Sequence, residues 1–399
     1  MNQMTNNRRA FMLGLTGLGA TVASHAFAED VSQKPIMTDE MPRFVVPPLA
    51  PIKLSADRIT RITVCMRPFR AAGPRLEVET VGHKRVVHNY GHGGSGWSLS
   101  WGSSTIAARY ALEGGKRDIA VIGCGALGLT SALLLRRAGA KVTIYAKERP
   151  PQTRSFRATG TWSPDSRIAD ADKVAPTFPA LWEDMARTSY ATYQTLLGLP
   201  GEPVAWTDRY ALSDDAPKPR AIGAIHFAEY EKKQLADITP PFRLLAPGAH
   251  PFPVNYVRHG TSMQFNVTEL SRLLLEDFLR EGGQIETMTF NTPADLARLK
   301  QSVIVNCTGY GARALWKDES IIPVRGQIAW LPAQPEARYG VYYRNVVALP
   351  RPDGIVVQQA GENDMWGYGI DNETADRAES EAAIATFAGI FDRKASPRP

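Results

Sequence analysis

The stretch DIAVIGCGALGLTSALLLRRAGAKVTIYAKE, residues 118–148, constrains this chain more than any other part of it. An apolar strand-like run leads into Gly123-x-Gly125-x-x-Gly128, an apolar helical run continues to Gly139, and a second strand-like run ends near Glu148. In a strand–turn–helix unit of this kind the first glycine permits a tight turn. The second lets backbone approach a pyrophosphate, and the third lets helix and strand pack closely. Ala126 and Leu127 open the helix, whose first amides carry the positive end of its dipole. Glu148 stands 20 residues after Gly128, where an acid accepts hydrogen bonds from ribose hydroxyls. The unit predicts dinucleotide binding on a parallel sheet, with a purely structural glycine turn as the alternative. Lys147 either meets phosphate or stays solvated.

The rest of the 399 residues supports a globular protein: 44% are hydrophobic and 22% charged, enough to bury one large core or two smaller ones. The net charge of +6 loses two units when residues 1–28, with Arg8 and Arg9 and no acid, are set aside. The remaining basic residues are scattered among acids, which argues against a nucleic-acid partner. Residues 6–12 read Asn-Asn-Arg-Arg-Ala-Phe-Met, followed by a short apolar run and Ala26-Phe27-Ala28, a pattern that resembles a twin-arginine export signal. The run is shorter than the roughly 18 residues of a membrane span, so no stable anchor is expected. Export in the folded state to the periplasm or medium follows. Cys65, Cys124 and Cys307 are odd in number and widely spaced, which favours neither a disulfide framework nor zinc. His83, His88 and His92 lie in a strand-then-glycine context, and no metal site is assigned to them.

Along the chain, residues 29–60 form a Pro-rich lead-in. Strand-like runs follow near 61–66, 75–79 and 84–88, then a glycine-dense loop at 91–96 and a helix expected from about Ser103 to Leu112. Helices are expected near 179–197, 267–281 and 376–391, and strands near 204–213, at 303 onward, at 326–330 and near 340–348 and 354–360. The predicted organisation is a nucleotide-binding region at 61–165, a mostly substrate-side domain at 166–300, a return to the first domain at 301–326, and substrate domain plus a terminal helix at 327–399.

Five stretches together resemble the D-amino acid oxidase family. The most specific is HNYGHGGSGWSLSWG, residues 88–102, preceded by Arg67-Pro68-Phe69-Arg70. In that family both stretches follow the glycine motif, whereas here they precede Gly123; the resemblance therefore implies a circularly permuted order. It also implies that the loop Gly93, Gly94, Ser95, Gly96, Trp97 and Ser98 runs under a flavin whose C2 carbonyl faces the next helix. Ser155, Ala158, Thr159, Gly160, Thr161 and Trp162 resemble a segment passing close to the flavin. Asn306-Cys307-Thr308-Gly309 and Arg325-Gly326-Gln327 resemble a late FAD-side strand and the turn into the substrate domain. These additions favour FAD over NAD. The implied fold is α/β: a Rossmann-like FAD domain with a parallel sheet and an interleaved antiparallel-sheet substrate domain.

By the same resemblance, Arg67 binds a substrate carboxylate through a bidentate pair while the Cα hydride passes to flavin N5. The alternative for Arg67 is an ion pair with Glu77 or Glu79, and Arg70 reads as structural. Two family tyrosines map onto GVYYRNVVALP at 340–350, where Tyr343, or Tyr342 if the register slips by one, fills the first position and Val347 the second. Arg338 or Arg344 either meets an acidic substrate side chain or is solvated. The expected reaction is oxidation of a D-amino acid or related amine to keto acid and ammonia, with molecular oxygen giving hydrogen peroxide. A dehydrogenase passing electrons to a quinone or carrier, and a non-catalytic flavin-binding protein with a decayed site, are the competing readings.

Overall fold

The computed structural model describes residues 49–217 and 223–391. The export-type signal, most of the Pro-rich lead-in and the terminal residues 392–399 lie outside them. Among the described residues no helix is long and apolar enough to cross a membrane.

Two sheets organise the chain. The first has six strands in the order β2 (Val78–Val81), β3 (Lys84–His88), β10 (Val303–Asn306), β4 (Asp118–Ile122), β5 (Lys141–Ala146) and β9 (Gln284–Thr287). The run from β3 to β9 is parallel, and β2 joins it antiparallel. Its central strands β10, β4 and β5 carry buried residues on both faces because both faces are covered. Val87, Val121, Ile144 and Val305 pack toward helices α1 (Ser100–Leu112), α2 (Ala126–Arg137), α3 (Phe178–Gln194) and α5 (Val267–Arg280). Val86, Ala120, Ile122 and Ile304 meet Leu296 and Leu299 on the other side. Gly102 of α1 carries no Cβ where the backbone of Met185 in α3 approaches, and its amide donates to Ser189 Oγ at 2.8 Å.

The second sheet has eight strands in the order β1 (Arg61–Arg70), β11 (Ile321–Leu331), β14 (Gly354–Gln359), β13 (Val346–Arg351), β12 (Tyr339–Tyr343), β6 (Val204–Ser213), β8 (Tyr256–Phe265) and β7 (Arg243–Leu244). All neighbours are antiparallel except β12 and β6. One face carries Leu212, Val341, Tyr343, Val346 and Val357 against Ile52 and α7 (Arg377–Ala385). Two single-turn helices, α4 (Glu231–Gln234) and α6 (Ala312–Leu315), complete the set.

The domain limits expected from sequence need correction. β1 belongs to the eight-stranded sheet rather than to the nucleotide-binding half, whereas α5 and β9, inside the stretch expected as substrate domain, build the parallel-sheet layer. Arg325-Gly326-Gln327 lies in the middle of β11, not in a turn between domains. The final helix stops at Ala385. β8 went unread because Arg258, His259, Gly260, Thr261 and Ser262 interrupt its apolar alternation. It pairs with β6 over ten residues, so its burial comes from tertiary position.

Candidate active site

The parallel strands β3, β10, β4 and β5 all end at one cavity of about 1730 Å³, the crevice in which open α/β sheets bind ligands. This exceeds the roughly 300–1,000 Å³ of an ordinary small-ligand pocket and suits a long dinucleotide plus a substrate. The eight-stranded sheet closes its far end through residues of β1, β11, β12 and β14.

At the near end, Gly123 follows β4 at φ +101, a left-handed conformation that favours glycine. A Cβ there would lie 2.5 Å from the Cys307 carbonyl oxygen. Gly125 caps α2, and a Cβ on it would meet Ser155 Oγ at 2.9 Å. That hydroxyl accepts the Ala126 amide at 3.1 Å. Gly128 packs its Cα against the Gly123 carbonyl, the close helix–strand approach its spacing implies, and it does not itself line the cavity. Leu127 lines the cavity at the start of α2, and Glu148 lines it beyond the end of β5. Met288, Thr289, Phe290 and Asn291 also line this end. Sequence reading missed them because they follow β9, a strand with only Ile285 apolar.

The glycine loop ahead of α1 is clamped to the segment after β5. Gly93 donates to the Pro68 carbonyl at 3.0 Å and Gly94 to that of Ser166 at 2.8 Å. A Cβ on Gly93, at φ +54, would collide with the Arg167 carbonyl. Trp97 Nε1 donates to the Ser155 carbonyl at 2.8 Å, and Ser98 Oγ accepts the Ser163 amide at 2.9 Å. Gly93, Gly94, Gly96, Trp97 and Ser98 line the cavity together with Ser155, Thr159, Gly160, Thr161, Thr308 and Gly309. Ser95 does not: its hydroxyl turns away to the Ser166 carbonyl at 3.1 Å.

His92, in the same loop and also lining the cavity, is 1% exposed, and burial followed by nearby Arg70 lowers its pKa to about 3. Ser103 Oγ spends its proton on Asn89 Oδ1, so it accepts from His92 Nε2 at 2.8 Å. Nδ1 is then an unprotonated acceptor, buried with no protein partner. His88 pairs with Glu79 at 2.9 Å and with Asn306 at 3.1 Å. Burial pushes the Cys124 and Cys307 thiols up to about 12 and raises that of Cys65, which leaves all three protonated.

At the far end, the Arg67 guanidinium lies over Gly326, whose missing Cβ leaves room for it, and Nη1 donates to the Arg325 carbonyl at 3.2 Å. Burial lowers its pKa. No carboxylate pairs with it among the described residues. Glu77 and Glu79, the partners of the alternative reading, are taken by Arg75 at 2.6 and 3.0 Å, while Asp364 is held by Arg167 at 3.2 Å. Arg70 is structural, tied to Ser320 Oγ at 2.9 Å and the Gly73 carbonyl at 3.0 Å.

Strand pleating puts the two tyrosines on opposite faces. Tyr342 stands opposite Val347 on the cavity face, whereas the Tyr343 ring sits on the other face near Phe387 and its hydroxyl donates to Asp214 at 2.8 Å. Both residues reach the cavity wall, but Tyr342 shares the face of Val347 and Gln358. Arg344 pairs with Asp214 at 2.9 Å and Arg338 with Glu202, so each already has an acid in this structure.

Comparison with known proteins completes the picture. The sequence profile described as FAD dependent oxidoreductase matches residues 118–396, well over half of the chain. The chain belongs to this family. It is 27% identical to a D-amino-acid oxidase of Streptomyces coelicolor over 271 residues, 65% of this chain and 74% of that protein. It is 28% identical to a D-amino-acid oxidase of Rubrobacter xylanophilus over 289 residues, 70% of this chain and 81% of that protein. A glycine oxidase structure from Geobacillus kaustophilus superposes with a TM-score of 0.48 at 14% identity, covering 69% of this chain and 77% of that one.

The cofactor of this FAD-dependent oxidoreductase is therefore FAD, and the residues present fit it. The cradle at Gly123 and Gly125 excludes side chains where the pyrophosphate approaches backbone, and the orphaned His92 Nδ1 offers an acceptor beside the glycine loop. The protein is an oxidoreductase acting on an amino acid or amine.

Proposed function

We propose that the substrate is a D-amino acid, oxidised to its imino acid, which water then hydrolyses to keto acid and ammonia, while dioxygen takes up the two electrons and two protons as hydrogen peroxide. The observation that carries the reading is Arg67: a desolvated guanidinium at the cavity whose hydrogen bond among the described residues goes to a backbone carbonyl, with Asp364 nearby but paired to Arg167, so that a substrate carboxylate can complete a bidentate pair. Bound FAD supplies the acceptor for the substrate's Cα hydride. Arg67 orients the carboxylate, Tyr342 and Val347 flank it on the same sheet face, and the cavity walls exclude water from the reacting carbon. The names of the two curated relatives support the choice of D-amino acids.

The test is anaerobic addition of D- and L-amino acids to the purified holoprotein while following oxidised-flavin absorbance. Bleaching by D-enantiomers, with peroxide released in air, is the expected result; bleaching by L-enantiomers or by none overturns the reading.

We also propose that the segment order is circularly permuted. The family profile begins at Asp118, yet residues 61–112 supply β1, β2, β3 and α1 to both sheets. Ile52 packs with Ile384, Phe387 and Ile390, so the described ends meet in one cluster where the ancestral connection would run. A chain rearranged to start at Asp118, with residues 49–112 joined after Phe391, is expected to fold and bind FAD; failure to do so argues against the proposal. Export is supported by Arg8 and Arg9, the apolar run after them and Ala26-Phe27-Ala28. Replacing both with lysine should retain the protein in the cytoplasm on fractionation.

A further inference from the structure

Beside Arg67 the cavity holds a polar side chain that the sequence did not bring forward. Gln358, near the end of β14, is 7% exposed and lines the cavity. It stands directly opposite Val347, which in turn stands opposite Tyr342, so the three form one row across three strands on one face. β14 pairs with β11 as far as Val357 opposite Ala329, and just beyond that register Gln358 lines the cavity together with Ile328 and Gly326 of β11. Gly326 is the residue over which the Arg67 guanidinium lies. Gln358 therefore stands beside Val347, the position at which the family resemblance expects a hydroxyl, and lines the same cavity as Arg67.

Its orientation is set from the opposite wall. The Thr159 hydroxyl donates to Gln358 Oε1, which leaves the two Nε2 protons as the donors this cavity-lining residue can offer. Thr159 itself lines the cavity in the segment after β5, so a cofactor-side residue aims a substrate-side one.

We propose that Gln358 is a substrate-binding residue whose amide N–H donates to the substrate carboxylate alongside Arg67, replacing the hydroxyl lost at Val347. This rests on the reading of Arg67 as the carboxylate-binding residue. A neutral donor suits the place: it satisfies a lone pair that the guanidinium leaves unfilled without adding a second positive charge. Thr159 acts as a positioning residue through Gln358.

The experiment is titration of the purified holoprotein with benzoate, a small carboxylate probe, reading the perturbation of the flavin spectrum and hence a Kd. Gln358→Leu should weaken benzoate roughly ten- to a hundredfold, the loss of a hydrogen bond to a charged group, with bound FAD unchanged. Gln358→Glu keeps the shape and the Thr159 contact but places negative charge at the anion. It should weaken benzoate further at neutral pH and recover affinity as the pH is lowered, a response that a merely structural brace would not give. If Gln358→Leu fails to fold, Gln358→Asn keeps an amide too short to reach and should show a similar loss. Retained benzoate affinity in the Gln358 variants, with affinity lost in Arg67→Gln, overturns the role of Gln358 and leaves that of Arg67 standing. Benzoate binding that is indifferent to Arg67→Gln overturns both.

Discussion

The two ends of the cavity are built from different material. Where the parallel strands end, the wall is largely backbone: Gly123, Gly125 and Gly93 each sit where any Cβ meets a neighbouring atom. Where the eight-stranded sheet closes the site, the wall is side chain: Arg67, Tyr342, Val347 and Gln358 stand on one pleated face. A backbone wall recognises what every member of a family shares, here a cofactor, and tolerates almost no substitution. A side-chain wall can change one residue at a time, which is how selectivity drifts on a constant fold.

That contrast can be broken at either end. The largest effect is expected from Arg67→Gln, which strips the partner from the substrate carboxylate. A loss of about 3–5 kcal/mol, roughly 10²–10⁴-fold in kcat/KM, should appear with full flavin content. Gly128→Ala should do the reverse. Its methyl group meets the Gly123 carbonyl, and an overpacking strain of about 1–3 kcal/mol should show as weakened FAD binding by equilibrium dialysis, with normal turnover in whatever holoprotein remains. If both variants lose flavin, the two ends are not separable and the comparison fails. Ser155→Ala removes the hydroxyl that accepts the Ala126 amide, and a loss of about 0.5–2 kcal/mol should appear in FAD affinity and not in substrate KM.

The smallest effect concerns pH. Burial, then the neighbouring Asp165, raises the Glu231 carboxyl to about 8, while Trp162 Nε1 donates to it at 3.1 Å and Lys232 opposes the rise. Between its unfolded value near 4.5 and about 8 the folded state holds the extra proton, so this group's contribution to stability is full below the lower value and falls as pH rises through the window. Glu231→Gln should flatten that slope, visible as a Tm difference of a few degrees between pH 5 and pH 8. An unchanged slope would place the titration elsewhere.

Legibility from sequence follows the same division. Gly123-x-Gly125-x-x-Gly128 was readable because its constraints are local: the turn, the helix start and the strand lie within 11 residues of one another. β6 at Val204–Ser213 matched its expected limits, since Trp and Tyr alternate with smaller residues. β8 was not readable, because its partner β6 lies some 50 residues earlier and supplies the burial that its own composition does not announce. Met288–Asn291 shared that fate at the cofactor end. The two tyrosines could not be told apart from sequence because a one-residue slip reverses the face, and pairing puts Tyr342 on the face of Val347 and Tyr343 on that of Val346.

The sequence by itself determined that the chain builds a dinucleotide cradle, that flavin-type segments accompany it, and that Arg67 is the arginine to examine. These conclusions rest on residues whose neighbours in the chain are also their neighbours in space. Tertiary structure alone decided that Asp364 is paired with Arg167, that Tyr342 shares the face of Val347, and that Gln358 stands opposite Val347 at the cavity. The cavity wall joins β1 to β11 across more than 200 residues, and cross-strand register, unlike a turn, leaves no mark on either strand's own sequence.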